Sequence, residues 1–336
     1  MLRYRFRFII LAAAIWLLSP SSMFSAEMRR LTKSGELQAP SKYEEKVAEL
    51  KQLISNGQCT AARKEFEQFK KDFPEIVGPD PNVFDAFIKG EVLLCKGKLT
   101  KAFRSYQKFL DKYRHESELY EAALDRQRSI ATAFLSGQKR KVLGIFKIKG
   151  YATGEKLVGK IIEREGVDTP IGRMTAETQA ECYEKRGKLK KAYLVWSKIF
   201  EQWKTSEFGA DVLLNMARCE HLAYRGPKYD ASCLAGAKNY YENLKDRKDS
   251  DKERYPVERI DFDKIDKRLE EIKQQLAYKQ FIIGRYYQKT GNRPVANFYY
   301  RMIMDNWPES IAAKMADERL SSNVDSKKSP GKKAKK

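Results

Sequence analysis

The stretch AYKQFIIGRYYQKTGNRPVANFYYRMIMDNWPES, residues 277–310, contains a spacing that recurs at three other places in the chain. With Gly291 as origin, an alanine follows five positions later, and aromatic residues follow nine and sixteen positions later. The same register starts from Gly57, Gly97 and Gly187, and in three of the four copies a glycine or alanine stands seven positions before the origin. The alanines are Ala62, Ala102, Ala192 and Ala296, and the aromatic residues are Phe66 and Phe73, Tyr106 and Tyr113, Trp196 and Trp203, and Tyr300 and Trp307. A register that recurs four times indicates a repeat protein.

This register predicts a helical hairpin for each copy. The origin glycine can adopt the left-handed conformation that ends a first helix. Positions nine, twelve and sixteen then form one stripe of a second helix, because helical neighbours are three or four residues apart. The small residue and the alanine, twelve positions apart, are predicted to lie where the two helices cross. Pro74 and Pro308 are predicted to end the second helix of the first and last copies.

The combination of small residue, alanine, aromatic residues and terminal proline resembles the tetratricopeptide repeat, over 43–76, 83–116, 173–206 and 277–310. The alternative is an irregular helical bundle. The origins lie 40, 90 and 104 residues apart, whereas the repeat is about 34 residues long. Each long interval therefore has room for one further hairpin, and the resemblance implies an all-α solenoid of about six hairpins. The additional helices are predicted at Glu118–Leu135, Glu155–Arg164, Phe208–Tyr224 and Ser232–Leu244, with a basic connection at Lys139–Gly154 and a long helix at Phe262–Gln288.

The N-terminus has the pattern of a secretory signal. Three arginines precede an apolar run at Phe8–Leu18, and a small-residue end follows up to Ala26. A membrane span needs about 20 apolar residues, so we expect a cleaved signal over 1–26, with a retained anchor as the alternative. The predicted organisation continues with a flexible segment at 27–42, repeats 1–3 at 43–165, repeats 4–6 at 166–320, and a disordered basic tail at 321–336.

The formal net charge of +21 predicts attraction to anionic surfaces, including an anionic membrane surface. The alternative is that scattered lysines serve only solubility. Export argues against nucleic acid as a partner, and neither the strand signature of an RNA-binding sheet nor zinc-finger spacing is present.

Enzyme signatures are missing from the sequence. There are two histidines, no HExxH or GxSxG motif, and no CxxC pair. The run GYATGEK at 150–156 has the wrong spacing for a phosphate loop and is predicted to be a linker. We therefore expect no enzymatic activity, no catalytic residue, no cofactor, no metal and no small-molecule substrate.

Five cysteines in an exported chain raise the question of disulfides. The helix ends in stacked hairpins would bring Cys59 close to Cys95, and Cys219 and Cys233 flank one turn. Cys182 would remain unpaired. The alternative is that all five are small buried thiols.

Three stretches resemble the family of the periplasmic D subunit (BamD) of the outer-membrane β-barrel assembly machinery. They are residues 277–310, IATAFLSGQKRK at 130–141 and RGPKYD at 225–230. The resemblance implies a periplasmic scaffold, peripheral to the outer membrane, that binds the barrel-assembly protein and unfolded barrel precursors. It also implies that Tyr286, Tyr287 and Arg293 contact the assembly subunit. Members of the family usually begin with a lipidated cysteine, whereas the first cysteine here is Cys59, so no lipobox cysteine is present.

The inner face of such an array usually binds an extended or helical segment of a partner. Matching the repeat positions predicts an inner face made of Phe84, Phe87, Glu91, Leu94, Arg126 and Arg128. The arginines would suit a C-terminal carboxylate. The alternative for Phe84 and Phe87 is packing against the first hairpin. The alternative function is a periplasmic or signal-anchored scaffold for cell-wall or division proteins.

Overall fold

A computed structural model describes residues 42–74, 81–112, 118–142, 146–249 and 260–328. The predicted signal, residues 27–41 and the last eight residues of the tail lie outside these ranges. The helices are α1 (Lys42–Ser55), α2 (Cys59–Asp72), α3 (Pro81–Cys95), α4 (Leu99–Lys112), α5 (Glu118–Leu135), α6 (Tyr151–Glu165), α7 (Pro170–Lys185), α8 (Leu189–Trp203), α9 (Gly209–Ala223), α10 (Ser232–Asp249), α11 (Phe262–Lys289), α12 (Arg293–Asn306) and α13 (Ile311–Lys328); the strands are β1 (Lys139–Val142) and β2 (Phe146–Lys149).

The described helices pack as six consecutive hairpins, which are α1–α2, α3–α4, α5–α6, α7–α8, α9–α10 and α11–α12, and α13 packs on the last of them. The predicted all-α fold of six hairpins is therefore confirmed. Contacts divide the chain into two compact units, one ending at Gly166 and the other beginning at Val167.

Each hairpin turn with an origin glycine has the same hydrogen-bond pattern. Gly97 has φ 66°, its N–H donates to the carbonyl of Leu94 at 2.8 Å, and the N–H of Lys98 donates to the carbonyl of Leu93 at 2.8 Å. This pair of hydrogen bonds at the end of a helix is the Schellman motif. Gly137 shows it too, with φ 98° and a bond of 3.0 Å to the carbonyl of Phe134. The third hairpin therefore has its own origin glycine, 40 residues after Gly97, which the sequence analysis missed.

The small residue seven positions before the glycine packs against the aromatic ring at position nine. A Cβ atom added to Gly90 would lie 2.6 Å from Cε1 of Tyr106, and one added to Gly284 would lie 2.7 Å from Cε1 of Tyr300. The rings, rather than the alanines at position five, are thus the nearest neighbours of these glycines. The buried rings can approach the first helix only because the side chain there is missing.

The predicted connection at 139–154 is shorter in the structure and is a β-ribbon. Strands β1 and β2 form an antiparallel ribbon, and α6 already begins at Tyr151. The run GYATGEK is therefore the start of a helix and not a linker. Its two glycines explain the close packing at this point: Gly150 lies against Phe134, and a Cβ on Gly154 would be 2.7 Å from the backbone nitrogen of Leu135.

The end of the chain also differs from the prediction. Helix α13 continues to Lys328, so residues 321–328 are helical and not a disordered tail. The helix is anchored by Ala312, Ala313 and Ala316, which are buried against Tyr300 and Ile303 of the last hairpin. Packing of its first turns provides the nucleus from which the polar remainder of the helix propagates.

Candidate functional site

The residues predicted to line the inner face are largely core residues. Phe84 and Phe87 are both buried. The ring of Phe84 stacks 6.2 Å from that of Phe69 on α2, and the ring of Phe87 lies 5.8 Å from that of Tyr106 and 5.3 Å from that of Phe109 on α4. Phe84 therefore joins the first two hairpins, Phe87 packs within the second hairpin, and neither is available to a partner in this structure.

Glu91 is the centre of a buried hydrogen-bond network. Its Oε1 accepts from the hydroxyl of Tyr106 at 2.6 Å and from Nε of Arg126 at 3.0 Å. The Glu91 carboxylate raises the pKa of Arg126 above its ordinary value, and burial together with Glu91 raises the pKa of Tyr106. Together the three side chains link α3, α4 and α5. Arg126 is thus already neutralised and would have to leave Glu91 to bind a carboxylate of a partner.

The remaining two predicted inner-face residues are also not brought together into a site. Arg128 donates to Oδ1 of Asp125 at 2.8 Å, and Leu94 is half-buried near the end of α3.

The second unit repeats the Glu91 arrangement with different residues. Oε1 of Glu184 on α7 accepts from Nε1 of Trp196 at 2.6 Å, and Oε2 accepts from Nε of Arg218 at 3.1 Å. In both units an acid on the first helix holds the position-nine aromatic residue and an arginine from the next hairpin. The repetition indicates a structural role in joining hairpins.

The last hairpin carries four aromatic rings in a row, which we call the aromatic surface: Tyr286 and Tyr287 on α11, and Phe298 and Tyr299 on α12. The ring centroids of Tyr286 and Tyr287 are 5.5 Å apart. The rings of Tyr287 and Tyr299 stack 5.8 Å apart with an angle of 8° between their planes, and the ring of Phe298 lies 5.7 Å from that of Tyr299. The outer two residues are open to solvent, because Tyr286 is 62% exposed and Phe298 is 63% exposed.

The turn of this hairpin explains why the four rings meet. Helix α11 ends before Gly291, and the side chain of Asn292 caps α12 by accepting from the N–H of Val295 at 3.4 Å. Tyr299, twelve residues after Tyr287, then lies opposite it. Phe281 and Tyr300 are buried in the core. Arg293, the third residue predicted to contact the assembly subunit, is exposed at the start of α12.

Phe298 and Tyr299 are the functional candidates that the sequence analysis missed. They lie seven and eight positions after Gly291, away from positions nine, twelve and sixteen that form the buried stripe. A large aromatic residue outside the buried stripe was the signal in the sequence that could have indicated an exposed site. Lys289 and Arg301 are also exposed near these positions on the two helices, so the aromatic surface has basic neighbours in sequence.

Of the two proposed cysteine pairs, the structure contains one. Cys59 at the start of α2 and Cys95 at the end of α3 form a disulfide with a Cα–Cα distance of 5.7 Å. Cys219 and Cys233 are free thiols, so that proposed pairing is wrong. Their surroundings differ: burial and the neighbouring Glu184 raise the pKa of Cys219 to about 12, whereas Cys233 is only half-buried, and its pKa is raised by burial and then by Glu220. Cys182 is buried and does not form a disulfide.

Two features are absent from the described residues. They contain no group of three or more histidine, cysteine, aspartate or glutamate residues placed to hold a metal ion. In the same part of the chain, no helix is both long and apolar enough to cross a membrane.

Comparison with known proteins gives similarity to solved structures alone. No protein-family model matches the chain, and no curated protein matches it. The chain is similar to PilW, a widely conserved type IV pilus biogenesis factor, at 14% identity and a TM-score of 0.29, over 82% of this chain and 99% of that one. It is also similar to BtubC (BKLC) from P. vanneervenii, at 12% identity and a TM-score of 0.32, over 88% of this chain and 98% of that one. Similarities at this level carry no argument about function, and the resemblance to the BamD family stays a prediction.

Proposed function

We propose that this protein is a periplasmic protein-binding scaffold that belongs to the outer-membrane β-barrel assembly machinery. In this proposal the aromatic surface on α11–α12 is the contact with the barrel-assembly protein, and the predicted signal directs the chain to the periplasm. Unfolded barrel precursors are the second class of partner.

The observation that carries the proposal is the exposure of Tyr286 and Phe298 at the two ends of a stacked row. Large aromatic side chains bury about 150–250 Å² each and dominate the energetics of protein interfaces. A row whose inner members are already stacked on each other presents its outer rings at little cost in side-chain entropy. Exposed apolar patches of this kind mark interaction sites in soluble proteins.

The choice of partner rests on the sequence. Tyr286, Tyr287 and Arg293 lie in the stretch at 277–310 that resembles the BamD family, and that resemblance implies a contact with the assembly subunit there. The structure adds Phe298 and Tyr299 to the same surface.

The proposal is tested by photo-crosslinking from within the surface. A photoreactive phenylalanine analogue is placed at position 286 or 298 in the cell of origin, and crosslinked proteins are identified by mass spectrometry. Tyr229 is a matched control, because it is 56% exposed but lies in the turn between α9 and α10. We expect a large outer-membrane β-barrel protein to be recovered from positions 286 and 298 and not from 229. Recovery of cell-wall or division enzymes in its place would contradict barrel assembly and favour the alternative scaffold.

The double variant Tyr286→Ala, Phe298→Ala gives a quantitative test. Truncation of an aromatic hot-spot residue costs about 2 kcal/mol or more of binding free energy. We therefore expect affinity for the barrel protein to fall at least tenfold, while Tyr229→Ala leaves it unchanged. Circular dichroism checks that both variants keep their helix content. Equal affinity of the double variant and the parent would exclude this surface as the contact.

A further inference from the structure

The β1–β2 ribbon has an unusual distribution of charge. Its backbone register pairs Lys139 with Lys149 and Lys141 with Lys147, and between them Arg140 pairs with Ile148. Successive residues of a strand lie on opposite faces, so the four lysine positions share one face of the ribbon. We call this the lysine face. The other face has the register pair Arg140 and Ile148, together with the register pair Val142 and Phe146.

The lysine face is unfavourable for the ribbon by itself. Like charges directly opposite each other on neighbouring strands destabilise the pair, and a two-stranded ribbon is only marginally stable. Lys139, Lys147 and Lys149 are exposed, and none of the three is ion-paired with a carboxylate of the described residues. Lys149 lies 5.7 Å above the ring of Tyr151, the first residue of α6. The repulsion would be relieved by an external surface with several negative charges.

We propose that the lysine face binds the surface of an anionic lipid bilayer. Lysine ammonium groups act as point charges and do not form the two-pronged bonds by which arginine selects a fixed phosphate or carboxylate. They suit a surface of many separate headgroups. The inference concerns the first unit and does not depend on the barrel-assembly partner.

The second face of the ribbon favours a bilayer over a soluble polyanion. Ile148 is 46% exposed. A nucleic acid or an acidic protein would neutralise the lysines and leave Ile148 in water. A ribbon that enters the interfacial region of a bilayer end-on has both of its faces in that region. The interface then accommodates the apolar Ile148 on one face, while the lysine side chains of the other face extend their charged ends to the headgroups.

The test is sedimentation of the full chain with lipid vesicles. Neutral vesicles contain phosphatidylcholine alone, and anionic vesicles contain phosphatidylcholine with phosphatidylglycerol. Residues 1–26 are present in every variant, so their contribution cancels when variants are compared on the same vesicles. Each lysine near an anionic bilayer contributes about fivefold to binding. The variant Lys139→Gln, Lys147→Gln, Lys149→Gln should therefore lose on the order of a hundredfold in affinity for anionic vesicles at low salt.

The matched control neutralises three other exposed lysines of the same unit, with Lys96→Gln, Lys98→Gln and Lys101→Gln at the α3–α4 turn. It has the same change in net charge and should keep most of the affinity. Equal losses in the two triple variants would mean that net charge alone drives binding and would overturn the proposal. Absence of any preference of the parent for anionic vesicles would overturn it as well.

A single variant separates a bilayer from a soluble polyanion. Ile148→Ser removes an apolar side chain and no charge, so it should weaken vesicle binding several-fold and leave binding to heparin unchanged. Unchanged vesicle binding by Ile148→Ser, with heparin binding lost in the ribbon triple variant, would assign the lysine face to soluble polyanions and contradict the lipid assignment.

Discussion

At the scale of single residues, replacing Gly90 with alanine has two opposite effects on stability, each of known size. It lies inside α3, where alanine favours the helix by about 1 kcal/mol relative to glycine. The added Cβ would lie 2.6 Å from the ring of Tyr106, which is completely buried and cannot move aside. Overpacking of this kind costs about 1–3 kcal/mol. We expect Gly90→Ala to lower the free energy of unfolding by up to about 2 kcal/mol, as measured by urea denaturation.

Gly159 provides the control for this prediction. It lies inside α6, and a Cβ there would have no heavy atom within 4 Å. Gly159→Ala should raise the free energy of unfolding by up to about 1 kcal/mol, because helix propensity acts without opposition. Stabilisation by both substitutions would show that the Tyr106 ring does not limit position 90.

His221 predicts a dependence of stability on pH. It is buried on α9 with its ring 6.3 Å from that of Tyr241. Burial lowers its pKa below the ordinary value, Glu271 and a hydrogen bond with Gln275 oppose the shift, and Arg268 adds to it. The unfolded chain therefore takes up a proton at higher pH than the folded chain does. The contribution to stability is complete above about pH 6.5 and is lost as the pH falls through the lowered folded pKa.

The test compares the parent with His221→Gln in urea denaturation between about pH 7.5 and pH 5. Each pKa unit of difference between folded and unfolded chains corresponds to about 1.4 kcal/mol. We expect the parent to lose stability over this range and the variant to lose less. Identical pH profiles would show that His221 does not titrate differently on folding.

Glu91 shows why these residue roles could not be predicted from the sequence. The repeat register correctly indicated that Phe84, Phe87 and Glu91 share one side of α3. It did not indicate what covers that side, because Arg126 lies 35 residues further along the chain. A carboxylate beside two phenylalanines is equally consistent with an open groove and with a buried ion pair. The decision depends on a contact between different hairpins, which spacing within one hairpin does not contain.

At the scale of elements, the disulfide between Cys59 and Cys95 fixes the first hairpin to the second. The two cysteines are 36 residues apart, and closing a loop of that length in the unfolded chain stabilises a protein by about 3–4 kcal/mol in the chain-entropy account. We expect Cys59→Ser, Cys95→Ser to increase hydrogen exchange in α1 and α2 strongly and to leave the helices after Val167 unchanged.

The free thiol Cys233 supplies the matched control for the disulfide variant. It is half-buried and unbonded, so Cys233→Ser should not change exchange in α1 and α2. Treating the parent with a reductant should reproduce the effect of the double variant. Unchanged exchange after reduction would mean that packing of Phe66 and Phe69 on Phe84 alone holds the first hairpin in place.

The β-ribbon was the element that sequence reasoning could not find. Each strand has only four residues. FKIK alternates apolar and basic residues, but KRKV has a single apolar residue, so the alternation is too short to mark a hairpin. The bounds of several helices, in contrast, could be predicted. Their bounds agree closely with the predictions for α5, α9 and α11, because each has a long apolar stripe and a glycine, proline or polar cap at an end.

At the scale of the whole molecule, the four clear copies of the register and the two long intervals were enough to predict six hairpins. The candidate site was predicted in part. Tyr286 and Tyr287 were predicted from the resemblance, whereas the exposure of Phe298 depends on how α12 packs on α11. Helix α13 and its extension to Lys328 depend on the burial of three alanines against the last hairpin, and alanines in a polar segment give no such signal in the sequence.

The division at Gly166 predicts that the second unit folds alone. Residues 167–328 contain three hairpins and two buried clusters. Their first helix, α7, also has its own N-cap, because the Thr169 side chain accepts from the N–H of Gly172 at 3.1 Å. The N-terminal residue is also held, because Nε1 of Trp203 donates to the carbonyl of Val167 at 2.8 Å. We expect this fragment to be helical by circular dichroism and to unfold in one cooperative thermal transition.

A shorter fragment, residues 189–328, tests whether the boundary has physical meaning. It lacks α7 and therefore removes Glu184, which leaves Nε1 of Trp196 and the guanidinium of Arg218 without their acceptor. It also exposes Ala192, Trp196 and Ile199, which are buried in the complete unit. Uncovering an apolar stripe of this size and losing these hydrogen bonds should cost several kcal/mol. We expect the shorter fragment to lose its cooperative transition and to aggregate, and equal thermal stability of the two fragments would show that α7 is not part of the second folding unit.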